Sequence, residues 1–220
     1  MTPRIPSLIF ALAFAVAKVF AQIPDPMPSP GLVVPRTALP YALDHFHTLP
    51  ELVPIHHSSV EVNNHKGANL AGSLTGGIFY KPKMTIELAG VHARSVIHDT
   101  KPVFYLHMLQ DPDGKGDTEA SESDVYAIIK AVPANDRRVF VQLRFAQLSG
   151  DTKKDNGLVG STLERLPGGW IRITPNEPLP PGEYAISPVF RAQNTFANII
   201  YDFSLAPDAP NAADAVYPQR

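Results

Sequence analysis

The sequence has no cysteine, and its 19 Lys and Arg nearly balance its 21 Asp and Glu. Without thiols the chain forms no disulfide, and it offers a metal ion no thiolate ligand. It also lacks an Asn-x-Ser/Thr acceptor for N-linked glycans. The balanced charge leaves no basic surface for a phosphate backbone, so we expect no nucleic-acid partner.

Long apolar runs are also scarce, and the one at the N-terminus is too short to span a bilayer comfortably. It covers residues 5–17, follows Arg4, and is closed by the small-residue pattern Val19-Phe20-Ala21. This arrangement predicts a signal peptide over residues 1–21, cleaved before Gln22. We therefore expect an exported protein, periplasmic or extracellular, with no membrane span after cleavage.

The rest of the chain is predicted to form one β domain between two polar segments. Residues 22–58, rich in Pro and His, are interpreted as a stiff spacer, because proline fixes φ and favours extended chain. Residues 206–220, rich in Pro, Ala, Asn and Asp, are interpreted as a flexible tail. Between them, residues 59–205 contain about eight short runs typical of strands. These runs are 60–63, 84–88, 103–109, 125–132, 139–148, 170–173, 184–189 and 199–205.

A proline-glycine corner precedes one of these runs. Pro180-Pro181-Gly182 leads to Tyr184, and a tyrosine after such a corner is typical of immunoglobulin-like sandwiches. In those domains the tyrosine hydroxyl hydrogen-bonds to the backbone just upstream. No segment shows a helical period of apolar residues. We therefore predict an all-β fold, an immunoglobulin-like antiparallel sandwich.

The chain resembles a group of uncharacterised exported bacterial proteins, most familiar from soil Acidobacteria. The shared features are the corner at 179–185, Tyr201-Asp202-Phe203, the Gly76-Gly77 turn and the strand at 101–105. The resemblance implies export and a β fold, and it implies no activity. Periplasmic copper-carrier sandwiches share only the corner, because the expected mature chain begins with Gln22-Ile23 and not with the histidine that those carriers use.

Five of the eight histidines fall in one short stretch. They are His45, His47, His56, His57 and His65. His45 and His47 are two residues apart and would share one face of an extended strand. Imidazole suits copper or zinc, so the set is a candidate metal site in a protein that otherwise shows no cofactor. The alternative is an exposed polar segment in which Pro50 and Pro54 hold the two His pairs apart.

An acidic stretch at 111–122 partly fits a helix-loop-helix calcium loop. Asp111, Asp113 and Glu122 stand at ligand positions, and a glycine stands at the sixth position. Lys115 stands at the fifth position, where the loop needs an oxygen ligand, and predicted strands flank the stretch in place of helices. A solvated acidic hairpin loop is therefore the favoured interpretation, with calcium binding as the alternative.

A third group contains the residue types of nucleophilic hydrolysis. His92, Ser95, His98 and Asp99 lie close together along the chain. No Gly-x-Ser-x-Gly elbow accompanies them, and nothing nearby indicates an oxyanion hole. The favoured interpretation is a strand edge and a turn.

Together these patterns favour a non-enzymatic exported β-sandwich that serves as a binding or structural module of the cell envelope. Its expected partner is an envelope protein or polymer of unknown identity. The first alternative is a periplasmic copper- or zinc-binding protein that uses the five histidines. The second alternative is a small secreted hydrolase.

Overall fold

The computed structural model describes residues 23–63, 83–108, 124–145, 152–155, 157–190, 195–196 and 199–219. In these ranges the chain forms seventeen strands and no helix, which confirms the all-β prediction. Consequently no helix that could cross a membrane is found in the described part of the chain. The predicted signal peptide over 1–21, His65, the Gly76-Gly77 turn and the acidic stretch 111–122 lie outside these ranges.

The strands are distributed along the whole described part of the chain. In chain order they are β1 (Tyr41–Phe46), β2 (Leu49–Pro54), β3 (His57–Ser59), β4 (Glu61–Asn63), β5 (Lys83–Ala89), β6 (Ser95–Ile97), β7 (Val103–His107), β8 (Asp124–Lys130), β9 (Val132–Ala134), β10 (Arg137–Phe145), β11 (Thr152–Asp155), β12 (Leu158–Val159), β13 (Ser161–Leu166), β14 (Trp170–Pro175), β15 (Gly182–Phe190), β16 (Thr195–Phe196) and β17 (Ile199–Leu205). Each of the eight predicted runs overlaps one of these strands.

The strands assemble into three sheets. Sheet I has the order β13-β14-β7-β1-β2. Sheet II has the order β12-β8-β15-β17-β3, with β16 beside β15 and β6 beside β17. Sheet III has the order β11-β10-β5-β4, with β9 beside β10. The pairing is antiparallel except between β6 and β17, which run parallel.

Sheets I and II pack face to face over the largest apolar core. Alternate residues of each strand point into this core, as the two-residue period of a strand requires. The ring centroids of Phe104 in sheet I and Phe203 in sheet II are 5.0 Å apart. The arrangement is a β-sandwich, and its immunoglobulin-like strand order stays a prediction. The buried core residues on these strands are Ala42, Val53, Phe104, Leu106, Ile171 and Ile173 from sheet I and Ile128, Tyr184, Ile186, Phe203 and Leu205 from sheet II.

The outer faces of these two sheets are covered as well. Leu88 and Phe140 of sheet III pack with Ile129 and Ile200 on the far side of sheet II. On the far side of sheet I, the segment before β1 buries Leu32 and Val34 beside Trp170. Sheet II therefore lies between sheets I and III, and sheet I lies between sheet II and the N-terminal segment.

The predicted tyrosine corner is confirmed. Tyr184 is fully buried, and its hydroxyl donates a hydrogen bond of 2.7 Å to the carbonyl of Pro180. Its ring stacks on Phe203 at 5.5 Å. The same burial raises the pKa of the Tyr184 hydroxyl above the ordinary value of a tyrosine.

The spacer interpretation differs from the structure, because much of residues 22–58 lies in the sheets. β1 pairs with both β2 and β7 in sheet I. Prolines are tolerated in β2 because it is an edge strand. Leu52 donates its N–H outward to Val216, so the nitrogens of Pro50 and Pro54, which share its direction, face away from β1. No hydrogen bond of the β1–β2 ladder is lost.

The C-terminal segment also differs from the flexible tail expected of it. Val216 and Leu52 exchange backbone hydrogen bonds of 2.9 and 2.8 Å. Ala212 and Ala215 pack against the core of the sandwich. Residues 206–219 therefore follow the edge of sheet I as a docked segment.

Candidate metal centre

The structure places His45 and His47 in different surroundings. His45 lies on β1, and its Nδ1 is 2.6 Å from Oδ2 of Asp99. His47 and Thr48 have φ values of 48° and 71° and form the tight turn between β1 and β2. His47 is therefore not on an extended strand, and the shared strand face predicted for the two histidines is wrong at this position.

The second His pair lies elsewhere. His56 follows β2, and its Nε2 is 2.7 Å from Oδ2 of Asp214. His57 begins β3 and is exposed. His65 is outside the described ranges, so metal binding by the five histidines as a set stays a prediction.

A different group brings three ligand-type side chains together. Asp44, Glu51 and His98 each place a ligand atom within 4.8 Å of the other two. Asp44 and Glu51 are fully buried, and His98 is 8 % exposed. Within the described ranges, no other set of three or more His, Asp or Glu side chains is so closely spaced.

Two sheets contribute to this group. Asp44 on β1 is directly opposite Glu51 on β2, and both carboxylates point towards sheet II. His98 directly follows β6, which pairs with β17 in sheet II. The site therefore lies between the layers of the sandwich, beside the edge strand β2. Like charges directly opposite each other destabilise a strand pair, so this placement needs a compensating charge or proton.

Asp44 is oriented by the backbone that follows β6. Its Oδ1 accepts hydrogen bonds from the N–H groups of His98 and Asp99, at 3.0 and 2.7 Å. Its Oδ2 accepts a second contact from the His98 N–H at 2.9 Å and lies 2.8 Å from His98 Nδ1. The carboxylate is therefore held rigidly, with Oδ2 facing the imidazole.

Glu51 has only one of its two oxygens satisfied. Oε2 accepts a hydrogen bond of 2.8 Å from Nδ2 of Asn211. Oε1 is buried and has no hydrogen-bond partner among the described residues. Burial raises the pKa of Glu51 above that of an ordinary glutamate, and the charge of Asp44 adds to this, while the Asn211 hydrogen bond, the charge of His98 and a hydrogen bond with the Tyr217 hydroxyl oppose it. A buried oxygen without a partner is uncommon in folded proteins and calls for an explanation.

His98 has a partner at each ring nitrogen. Nε2 is 3.2 Å from the carbonyl of Ala209. A carbonyl only accepts hydrogen bonds, so Nε2 carries the proton in this contact. Nδ1 faces Asp44, and the ring lies 4.9 Å from that of Phe46. With Nε2 protonated, Nδ1 is the ring nitrogen that can bind a metal ion, and it is the one that lies beside Asp44.

A second cluster of buried charged side chains lies between sheets II and III. It serves as a comparison, because its carboxylate groups have hydrogen-bond partners. Arg138 Nη1 lies 2.7 Å from Oδ2 of Asp202 and 3.3 Å from Oε2 of Glu183. Glu183 also accepts hydrogen bonds from the N–H of Ala93 and the hydroxyl of Ser204. This cluster contains its own cation, and both Glu183 oxygens are bonded, so its contacts are those of a structural network.

The residues considered for nucleophilic hydrolysis are distributed among these contacts. Ser95 donates its hydroxyl to the carbonyl of Pro54 and accepts the N–H of His56. His92 contacts Glu183, and His98 contacts Asp44. Ser95 therefore has partners other than these imidazoles, and the acid-base groups of the segment belong to two separate clusters.

Asp44 and Glu51 were not among the sequence-predicted ligands, although a signal was present. Asp44 stands three residues before His47, and Glu51 stands three residues after Thr48. A hairpin with its turn at His47-Thr48 would therefore pair them. Pro50 and Pro54 argue against a hairpin at this place in the sequence, because proline inside a run is evidence against a strand. No sequence pattern near Asp44 and Glu51 indicates His98 as their partner, because His98 follows β6 of sheet II and is distant along the chain.

Comparison with known proteins returns no similar protein: no family model, curated protein or solved structure matches the chain. The resemblance to exported Acidobacteria-type proteins therefore stays a prediction. The geometry of the Asp44, Glu51 and His98 group is therefore the basis of the proposed function.

Proposed function

We propose that this chain is an exported, non-enzymatic β-sandwich module that binds a divalent first-row transition-metal ion at Asp44, Glu51 and His98. The observation that carries the proposal is Oε1 of Glu51, which is buried without a hydrogen-bond partner among the described residues, on a side chain that lies close to two others of ligand type. A bound cation would satisfy this oxygen and balance two buried carboxylates that stand opposite each other.

The donor set indicates which ions fit. One imidazole nitrogen and two carboxylate oxygens suit zinc, copper, manganese or iron, whereas calcium and magnesium prefer oxygen ligands alone. Metal–ligand bonds of ~2.0–2.2 Å place the ligand atoms of a tetrahedral site roughly 3.4 Å apart. The present spacing of up to 4.8 Å therefore needs only a small inward movement of side chains.

The surroundings of the ligands support the same proposal. Metal-binding histidines usually donate their second ring N–H to a carbonyl or carboxylate, and ligating carboxylates are usually hydrogen-bonded. Here His98 Nε2 faces the Ala209 carbonyl, Asn211 holds Oε2 of Glu51, and two backbone N–H groups hold Asp44. Each ligand is thus oriented by a neighbour, and Glu51 keeps one buried oxygen without a hydrogen-bond partner among the described residues.

Export and the envelope role are part of the proposal and depend on the sequence alone. The signal pattern over 1–21 supports export to the periplasm or the cell exterior. An envelope protein or polymer is the proposed partner of the module. Mass spectrometry of the exported protein checks the first point, with a mature chain that begins at Gln22 as the expected result.

Calorimetric titration of the chelator-treated protein with Zn²⁺ tests the metal proposal. We expect one site with a micromolar or tighter Kd, lost in Glu51→Gln and kept in the matched control Glu164→Gln on the same sheet. The variant His45→Ala/His47→Ala should bind like the wild type. If that variant loses binding and Glu51→Gln keeps it, the predicted histidine set is the site and the present proposal is wrong.

A further inference from the structure

The segment 206–219, here called the C-terminal strap, is attached at both ends and near Val216. Ala206 donates its N–H to Ile97 at 2.9 Å, and Gln219 donates its N–H to Gly31 at 2.9 Å. Between these points, Val216 pairs with Leu52 of the edge strand β2. The strap therefore passes from the end of sheet II to the free edge of sheet I, across the candidate metal centre.

The strap supplies the outer partners of two of the three ligands. Its Ala209 carbonyl accepts from His98 Nε2, and its Asn211 amide donates to Glu51 Oε2. The Asn211 amide also donates to the Tyr217 hydroxyl at 2.8 Å, so its orientation is fixed within the strap. These contacts occupy Nε2 of His98 and Oε2 of Glu51, and they leave Nδ1 and Oε1 as the atoms that can bind an ion.

The strap buries little apolar surface of its own. None of its residues is fully buried, and many are exposed. Asp214 is bound by His56 at 2.7 Å, and Arg94 lies 3.9 Å away. Segments with little buried apolar surface open at a lower free energy than the core does. The ligands beneath it, by contrast, are almost completely inaccessible to solvent.

We infer that the C-terminal strap is the gate of the metal site: it positions Glu51 and His98 when docked, and it must leave the edge of sheet I for the ion to enter or depart. This inference rests on the proposed metal-binding function. Because linkage is reciprocal, an ion that needs the docked strap also holds the strap docked. Asn211 is then a positioning residue, and the contact between His56 and Asp214 is the latch.

Two variants distinguish the two roles proposed for the strap, which are to position the ligands and to open for the ion. Asn211→Ala removes the partner of Glu51, and loss of one outer partner typically weakens metal affinity by ~10–100-fold. Asp214→Ala removes the latch and leaves all ligands and their partners in place, so it should chiefly accelerate release of the ion. Asn176→Ala, on the loop that follows β14, is the matched control and should change neither quantity.

The experiment measures hydrogen–deuterium exchange of residues 206–219 with and without Zn²⁺, and the rate at which a chelator removes Zn²⁺ in a stopped-flow instrument. We expect Zn²⁺ to slow exchange in the strap, and both strap variants to release Zn²⁺ faster than the control at unchanged folding by circular dichroism.

If the wild type binds Zn²⁺ but strap exchange and release rates do not change, the gate is refuted and the metal site stands. If the wild type binds no Zn²⁺, the proposed function is refuted and the gate with it.

Discussion

At the scale of residues, the proposal of a metal site depends on Glu51 more than on any other side chain. Its Oε1 is buried and has no hydrogen-bond partner among the described residues. Such an atom costs about 1–3 kcal/mol in a folded protein. The protein forms the equivalent contacts for both oxygens of Glu183, so the fold is able to satisfy a buried carboxylate. This contrast is why we interpret Glu51 as a ligand.

Tyr184 gives a test of the residue-scale description that is independent of any metal. Tyr184→Phe should lower the free energy of unfolding by ~1 kcal/mol, because it removes one buried hydrogen bond, to the Pro180 carbonyl. Tyr201→Phe is the matched control and should cost less, since its contact with the Ala38 carbonyl is long, at 3.4 Å. Urea denaturation measures both. Equal stability of Tyr184→Phe and the wild type would contradict the corner.

The two sites differ in how far the sequence could predict them. Tyr184 and Pro180 are four residues apart, so a local pattern contains the whole interaction. Asp44 lies near Glu51 in the β1–β2 hairpin, but His98 and Asn211, which complete the surroundings of Glu51, are distant along the chain. No local pattern contains such a group, because only the pairing of strands and the docking of the strap bring its members together.

At the scale of elements, alternation of apolar and polar residues was enough to predict the strands that build the core. β14 can be recognised in this way, because its alternate residues Ile171 and Ile173 face the core of the sandwich. β1 and β2 were missed because prolines and buried carboxylates interrupt the pattern. Both interruptions have a physical reason: the prolines lie at a sheet edge, and the carboxylates form the candidate metal centre.

The hairpin turn between β1 and β2 carries strain that can be measured. His47 and Thr48 both have positive φ, a geometry that suits Asn-Gly and is costly for a β-branched residue. The double variant His47→Asn/Thr48→Gly should therefore raise the free energy of unfolding by roughly 1–3 kcal/mol. Thermal denaturation measures the change, and Thr162→Gly on β13 is the control, which should destabilise. A less stable turn variant would show that these two side chains stabilise the hairpin in some other way.

At the scale of the whole molecule, both terminal segments pack on sheet I. The segment before β1 covers its outer face, and the C-terminal strap follows its edge. The two segments meet where Gly31 has φ of 74° and a Cβ there would lie 2.6 Å from the Gln219 carbonyl oxygen. Only glycine fits that approach without a shift of the backbone. The metal centre thus lies beneath the C-terminal strap, which sequence composition had placed outside the domain.

Docking of the N-terminal segment should depend on pH through Asp25. Hydrogen bonding to Arg36 holds the pKa of Asp25 below the ordinary value of an aspartate, although burial opposes this. Both partners lie in the segment before β1, so the ion pair stabilises the docked conformation of this segment at pH values above that ordinary value, and the stabilisation is lost as pH falls through the lowered pKa. Asp25 also accepts the indole N–H of Trp170, the one tryptophan of the chain.

Tryptophan fluorescence during acid titration measures this release. We expect an acid transition in the wild type that is absent from Asp25→Asn, whose segment is already loosened at neutral pH. Asp136→Asn, which alters an aspartate that is 89 % exposed, should retain the wild-type transition. An unchanged transition in Asp25→Asn would mean that another group controls the environment of Trp170.

The most direct test of the central claim is to locate the ion by anomalous X-ray diffraction from crystals of the protein grown with Zn²⁺. The account predicts an anomalous peak between the sheets, at ~2.0–2.2 Å from Oε1 of Glu51, a carboxylate oxygen of Asp44 and Nδ1 of His98. A peak at His45 or His56 with none at Glu51, or a fully occupied hydrogen bond to Glu51 Oε1 from a protein group or water in place of the ion, would contradict it.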